Sequence, residues 1–251
     1  MKYAKYIVAT LSVLLTMMAI SCKKGSMVNL GTVRIASVYK IESTGGRHHY
    51  YIGYDSFNNV DSIGIIGGGT DTGYADYVTF NYVGSSFVIN DHQNGSLMVD
   101  ANSSGQIIKV LSIDTMIMFY NGSELTEIER KLASINPPGY ALDSTIYTWN
   151  GGDLIGYKVD TGVVDSYYYD LTRTGQIGDA LNIENFLTYG RSYFSTVHLP
   201  DELSFRGVWI EEDLYQFDGQ GRISELMRVI NGTTNGTSSP NDTTTYVYTY
   251  Y

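Results

Sequence analysis

The sequence predicts an all-β fold, a curled antiparallel meander of tandem hairpins approaching an open barrel or roll, with one short helical insert. Three observations predict it. Apolar and aromatic residues alternate with polar ones at a period of two along most of the chain, which places one side of each strand inward. Gly, Asn and Asp collect between those runs. Tyrosine dominates the aromatic content, with 23 Tyr against 8 Phe and 2 Trp, and tyrosine suits half-buried pleated surfaces. With 27 Gly and only 4 Pro in 251 residues, the turns are expected to be Gly- and Asn-driven hairpins rather than rigid proline corners.

At the N-terminus, Lys2 and Lys5 precede an apolar run from Ile7 to Ile20 that is broken only by Thr10, Ser12 and Thr16. A positive flank, a short apolar core and a small residue before the cut have the physics of a cleaved signal peptide. The run is shorter than the ~20 residues that cross a bilayer as a helix. Cys22 is the only cysteine, so no intramolecular disulfide can account for it. Ala19-Ile20-Ser21-Cys22 resembles the bacterial lipobox, with Ala19 where leucine is usual, as in lipoproteins of Bacteroides-like bacteria. The resemblance implies that Cys22 is lipidated, with acyl chains contributing ~0.8 kcal/mol per buried CH₂ to membrane anchoring. The expected organisation is a signal peptide over 1–21, a lipidated cysteine and tether over 22–32, and a single β domain over 33–251. The expected address is the cell envelope, anchored in the outer membrane by lipid, with the periplasmic and surface-facing sides both open.

Two of the 16 basic residues lie in the segment to be removed and none of the 26 acidic ones does, leaving 14 against 26, a net −12 before the terminus is counted. Such a field repels phosphate backbones, and nucleic acid is excluded as a partner.

The hairpins follow in order, each an alternating strand, an Asp or Asn, a Gly/Asn/Ser turn and an aliphatic return. They turn at Asn58-Asn59, Gly84-Ser85, Asn102 to Gly105, Asn121-Gly122, Asn150-Gly151-Gly152, near Gly175, and at Gly219-Gln220-Gly221. Thr245 to Tyr251 forms a last strand. Asn121-Gly122 and Asp218-Gly219 are the sharpest turn signals. Seven tandem hairpins give roughly fourteen to sixteen strands, a sheet size that curls or closes. The rhythm breaks between Gly178 and Phe205. Ala180, Ile183, Phe186 and Leu187 have helical spacing, with Asp179 as the expected cap; this helix is placed as a plug in the end of the sheet. Thr126 to Ile135 fits a second short helix or a strand with a charged face.

Leu214-Tyr215-Gln216-Phe217-Asp218-Gly219-Gln220-Gly221-Arg222-Ile223 resembles the YD (Rhs-type) repeat, an aromatic-x-Tyr/Phe-Asp followed by a Gly-Arg-hydrophobic return. Tyr54-Asp55 and Tyr169-Asp170 to Gln176-Ile177 are weaker copies, with Gln176 where arginine is usual. From Val33 to Tyr251 the chain is similar to Bacteroides-type lipoproteins with degenerate YD-like repeats, the DUF4595-like group. Tyr189-Gly190-Arg191, Leu199-Pro200 and the Tyr-rich end from Tyr246 carry the rest of the likeness. The resemblance implies fold and address and assigns no chemistry.

Chemical motifs are sparse. Adjacent His48 and His49 point to opposite faces of a strand, and neither His92 nor His198 completes a ligand spacing; no metal or other cofactor is expected. Gly64 to Gly73 lacks the Gly-Lys-Ser/Thr of a phosphate loop and reads as a hairpin tip. Asp71, Asp76, Asp91 and Asp100 lack the alternation of a calcium loop. Glu211-Glu212-Asp213 reads as the solvated edge of a strand. Asp61-Ser62-Ile63, Asp114-Thr115-Met116, Asp143-Ser144-Thr145 and Asp242-Thr243-Thr244 resemble O-glycosylation sites, with Thr243 in an exposed loop the best placed. No nucleophile elbow occurs, and no enzyme is expected. Trp149, Trp209 and Tyr189 are the candidate binding residues, either as a carbohydrate-stacking platform or as part of an ordinary aromatic ladder. The expected function is a non-catalytic binding or scaffold lipoprotein contacting a glycan or an envelope protein. The alternative is a hydrophobic carrier that holds lipid in a curled sheet. Short strands with Thr, Asn and Asp on both faces argue against a lipid-spanning barrel.

Overall fold

The computed structural model describes residues 33–67, 74–92, 95–112, 114–135, 138–160, 162, 164–205, 209–234, 237–238 and 242–251. The first nine strands are β1 (Ile35–Glu42), β2 (Arg47–Tyr54), β3 (Val60–Gly67), β4 (Tyr74–Val83), β5 (Ser86–Asp91), β6 (Gly95–Ala101), β7 (Ile107–Leu111), β8 (Thr115–Asn121) and β9 (Glu124–Ile135). Then come β10 (Pro138–Asn150), β11 (Asp153–Val159), β12 (Asp165–Thr174), the helix α1 (Ile183–Tyr189), β13 (His198–Phe205), β14 (Trp209–Phe217), β15 (Ile223–Thr234), β16 (Thr237–Ser238) and β17 (Asp242–Tyr250).

Each strand from β1 to β15 pairs antiparallel with the next, β17 returns to β15, and β17 closes on β1 from Ile35 opposite Tyr250 to Glu42 opposite Thr244. Because β16 pairs only with the end of β15, the closed ring holds sixteen of the seventeen strands. The even number is what lets first and last strands meet antiparallel, and closure leaves no exposed edge. The sequence-predicted meander is therefore closed rather than open.

One turn recurs and explains the repeat. Asp55 Oδ1 accepts the N–H groups of Phe57 and Asn59, both at 2.8 Å, and Asn59 Nδ2 donates back to Asp55 Oδ2 at 2.9 Å. Asn102 Oδ1 likewise accepts the N–H groups of Ser104 and Gln106, here with its own Nδ2 donating to Gln106 Oε1, and Asp218 accepts from Gln220 and Arg222 in the manner of Asp55. In each, the fourth residue has positive φ: 64° at Asn58, 79° at Gly105 and 77° at Gly221. The carboxylate or amide satisfies backbone donors that a wide turn would leave bare. At Asp218-Gly219 the left-handed residue is thus Gly221, not Gly219, and the turn is a wide one closed by Arg222. Two-residue turns at Gly84, Gly122 and the Gly151-Gly152 pair complete the same end of the ring.

The inner face carries the core. Ile52 of β2, Ile63 of β3, Phe87 and Ile89 of β5, Val99 of β6 and Leu125 of β9 are fully buried, and Ile183 and Phe186 of α1 pack into the same cluster. The plug is tied around the ring. Gln176 Nε2 donates to Gly221 O at 2.9 Å, Arg191 Nη1 to Gly105 O at 2.8 Å, and Tyr248 OH to Gly178 O at 2.7 Å. Lys40 Nζ pairs with Glu184 at 3.0 Å, and Tyr246 OH donates to the same carboxylate. Arg191 also lies 5.4 Å and 5.2 Å from the rings of Tyr82 and Phe87. Gly190 ends α1 at φ 65°, its N–H bonding Phe186 O at 2.9 Å.

Several expectations are corrected. Asp179 does not cap α1, which starts after Asn182. Its Oδ1 instead accepts Asn182 N and Nδ2, both at 3.0 Å, fixing the turn ahead of the helix. The inserted stretch is shorter than 178–205, because 198–205 form β13 in the ring. Of the two readings open for Thr126 to Ile135, the strand with a charged face is the one formed, paired with β8 and β10. Thr243 lies in β17 opposite Val229, not in a loop. The tip of Gly64 to Gly73 lies outside the described residues from 68 to 73.

Candidate functional site

From β9 to β15 the inner face changes character. Tyr147 of β10 stands opposite Tyr157 of β11, their centroids 6.2 Å apart, and Tyr157 is 6.0 Å from Tyr167 of β12. Phe194 of the plug lies 5.4 Å from Tyr147. This arc of rings does not fill the space between the sheet and α1. It borders two adjoining, partly open cavities of about 390 Å³ and 290 Å³, which share Tyr147, Asn185 and Phe194. Both lie on the side of α1 away from the tight turns.

The larger cavity holds Arg130 and Asp143, direct cross-strand partners on β9 and β10. Asp143 Oδ1 and the Tyr193 hydroxyl are buried there without a hydrogen-bond partner among the described residues. No ion pair joins Arg130 to any described acid within 4.0 Å. Burial, reinforced by neighbouring Tyr189, raises the Tyr193 hydroxyl far above the ordinary tyrosine value. Tyr147 is pushed up to about 12 by burial, with Arg130 acting in the opposite sense. Both remain neutral donors at physiological pH.

The smaller cavity is walled by Glu184, Glu211, Asp213 and Arg228. Arg228 bonds Glu211 through both Nε and Nη2, and its Nε lies 3.6 Å from Asp213 Oδ1. Burial raises Asp213 well above the carboxylate range, against the pull of Arg228. Burial would lower Arg228, but Glu211 and Asp213 outweigh it and keep the guanidinium charged. Glu184 is likewise penalised by burial, yet the Tyr246 hydroxyl and Lys40 bring it below its usual value. The charges in this half are therefore paired with one another, and the cavity offers polar groups with little net charge.

The three sequence candidates separate. Tyr189 lines the larger cavity. Trp149 stands behind it: Nε1 donates to Leu125 O at 2.7 Å and the ring packs 6.3 Å from Phe194, which it props against the void. Trp209 is 43% exposed at the end of β14, across from Phe205 of the smaller cavity wall. They form no common platform. Glu211 and Asp213 are 4% and 5% exposed and face inward, so the solvated edge expected for that run is Glu212 alone. The period itself held the signal: Tyr215 and Phe217 share a face with 211 and 213. Arg130, Asp143, Tyr157 and Tyr167 were missed because nothing local distinguishes them. Among the histidines, His198 Nδ1 contacts Asp153 Oδ2 at 2.6 Å and His92 stacks on Tyr77 at 5.3 Å. No group of three metal-ligating side chains occurs among the described residues.

Fold and site define a closed sixteen-stranded antiparallel barrel, plugged from within and retaining a cavity beside its plug. No family model and no curated protein matches the sequence. Among solved structures the chain is similar to a porin-like protein from Bacteroides uniformis, at 16% identity and a TM-score of 0.66, covering 86% of this chain and 98% of that one. At that identity the likeness establishes the fold.

Proposed function

We propose that this chain is a lipid-anchored envelope barrel that binds a glycan in the cavity beside α1 and performs no chemistry on it. The observation that carries the reading is the cavity itself: aromatic walls, with the acids and arginine of its smaller part paired with one another, suit a neutral, hydroxyl-rich ligand. The apolar run before Cys22 and the porin-like neighbour support an envelope address. The recurrent turn at Asp55, Asn102 and Asp218 supports grouping the chain with lipoproteins of degenerate YD-like repeats.

Lipid, rather than the barrel wall, is the anchor in this reading. Lys109, Glu127, Glu129, Lys131, Glu202 and Glu212 take outward positions by register, whereas a basic residue on a lipid face costs about 2–4 kcal/mol at the bilayer midplane. The core lies inside, the reverse of a water-filled pore. The carrier alternative receives less support, because α1 and its flanks fill much of the interior and the remaining space is lined by ionisable groups.

Two measurements test the reading. Cys22→Ser in the full chain should move the protein from the membrane fraction to the soluble one and abolish palmitate labelling. On a glycan array the wild type should show saccharide binding that Tyr147→Ala removes. Membrane retention of Cys22→Ser, or an array without any saccharide signal, overturns the corresponding half.

A further inference from the structure

We infer that the larger cavity is a subsite for adjacent hydroxyls of one neutral sugar ring, held between Asp143 as acceptor and Arg130 as donor. This rests on the glycan reading and specifies which residues read the ligand. Asp143 and Arg130 face each other across β9 and β10, and both line the 390 Å³ void. Yet they form no ion pair within 4.0 Å, and Asp143 Oδ1 is buried without a hydrogen-bond partner among the described residues. A buried acceptor left bare is destabilising, and it persists beside a cation that could have satisfied it. A vicinal diol matches both groups: one hydroxyl donates to Asp143 Oδ1, and its neighbour accepts from the guanidinium. Asn185 projects from α1 into the same space, and the Tyr193 hydroxyl, also without a partner, is a further donor. Tyr147 and Phe194 also line the void and supply aromatic surface for the apolar C–H side of the sugar.

Other ligand classes fit less well. A free anion would suit Arg130 but meets Asp143 alongside it. An acyl chain would leave both charged groups unsatisfied. The smaller cavity shares Tyr147, Asn185 and Phe194 with the larger, so a second sugar unit would extend towards Glu211 and Arg228.

Trp149 packs on Phe194 and supplies the readout. In a Trp209→Phe background, tryptophan emission is titrated with glucose, galactose, mannose, N-acetylglucosamine and cellobiose, with glucuronate and glycine as charged competitors. At least one neutral sugar should bind, and Asp143→Asn and Arg130→Gln should each weaken it tenfold or more. Tyr77→Ala on the outer face should leave it unchanged, and circular dichroism should show all variants folded. Equal affinity in wild type and both cavity variants overturns the subsite while leaving the glycan reading intact. Binding of glucuronate or glycine in preference to every neutral sugar overturns the diol assignment. Absence of saccharide binding by the wild type, here and on the array, removes the reading and the inference together.

Discussion

From β1 to β8 the inner face of the ring is mostly aliphatic and aromatic, with Lys40 paired to Glu184 of α1 and Asp76 among the few charged side chains there, and Ile52, Ile63, Phe87, Ile89 and Val99 are almost inaccessible. From β9 to β15 the same geometry presents Arg130, Asp143, Tyr157, Tyr167, Glu211, Asp213 and Arg228, and the plug leaves space in front of them. The two halves have the same pleat and face the same plug, which enters between β12 and β13. Beyond that insert they differ in what the inward positions carry. The difference shows how a closed barrel can derive its stability from one arc of its wall and its binding capacity from the other.

The comparison breaks or sharpens at substitutions chosen in pairs. Phe186→Ala removes an α1 ring that is 2% exposed within the packed half and should cost about 3–5 kcal/mol. Tyr157→Ala, a wall of the empty half, should cost about 1–2 kcal/mol, because much of the ring already borders a void. Equal midpoint shifts in urea for the two variants would erase the distinction between the halves.

The second test uses pH. Asp179 is fully buried, and burial raises it to about 7 despite the N–H groups of Asn182 and its neighbours. Because its folded value lies above its unfolded one, its contribution is fully present below about pH 4 and is lost as pH rises through 7. The span of roughly three units corresponds to at most about 4 kcal/mol. Asp179→Asn should therefore be more stable than wild type at pH 8, with the advantage vanishing below pH 4. Asp213, also raised by burial, acts in the same direction, whereas Glu184 acts in the opposite one. Thermal melts across that range in which both proteins keep one fixed difference would exclude a titrating Asp179.

The smallest effect concerns how the plug is seated. A Cβ on Gly190 would approach Phe80 Cε1 and Val60 Cβ, each at 3.1 Å, from a left-handed backbone. Gly190→Ala should cost about 1–3 kcal/mol and loosen the packed half first, visible as faster amide exchange in β3 and β4 than in β11 and β12.

How far the sequence could be read follows the same division. Period-two alternation and Asx-led turns made the hairpins legible, because those signals are local and each strand repeats them. Ala180, Ile183, Phe186 and Leu187 made the helix legible for the same reason, although Asp179 serves the preceding turn. The cavity was not legible. Tyr189 was singled out and does line it, but Trp149 only supports the wall and Trp209 sits at the rim. Arg130 and Asp143 become neighbours through the register of β9 on β10, which no single strand encodes. Glu211 and Asp213 looked like surface acids because a run of three charges normally is one.

By itself the sequence determined the all-β class, the antiparallel hairpin order, the helical insert and the single cysteine behind an apolar run, since each depends on periodicity or on neighbours in the chain. Only the tertiary structure decided that the ribbon closes, that the insert lies inside it, and which inward side chains are left facing empty space. Closure joins β1 to β17 across almost the whole chain, and a void is defined by what fails to reach it from every side at once. Neither quantity is carried by any local stretch of residues.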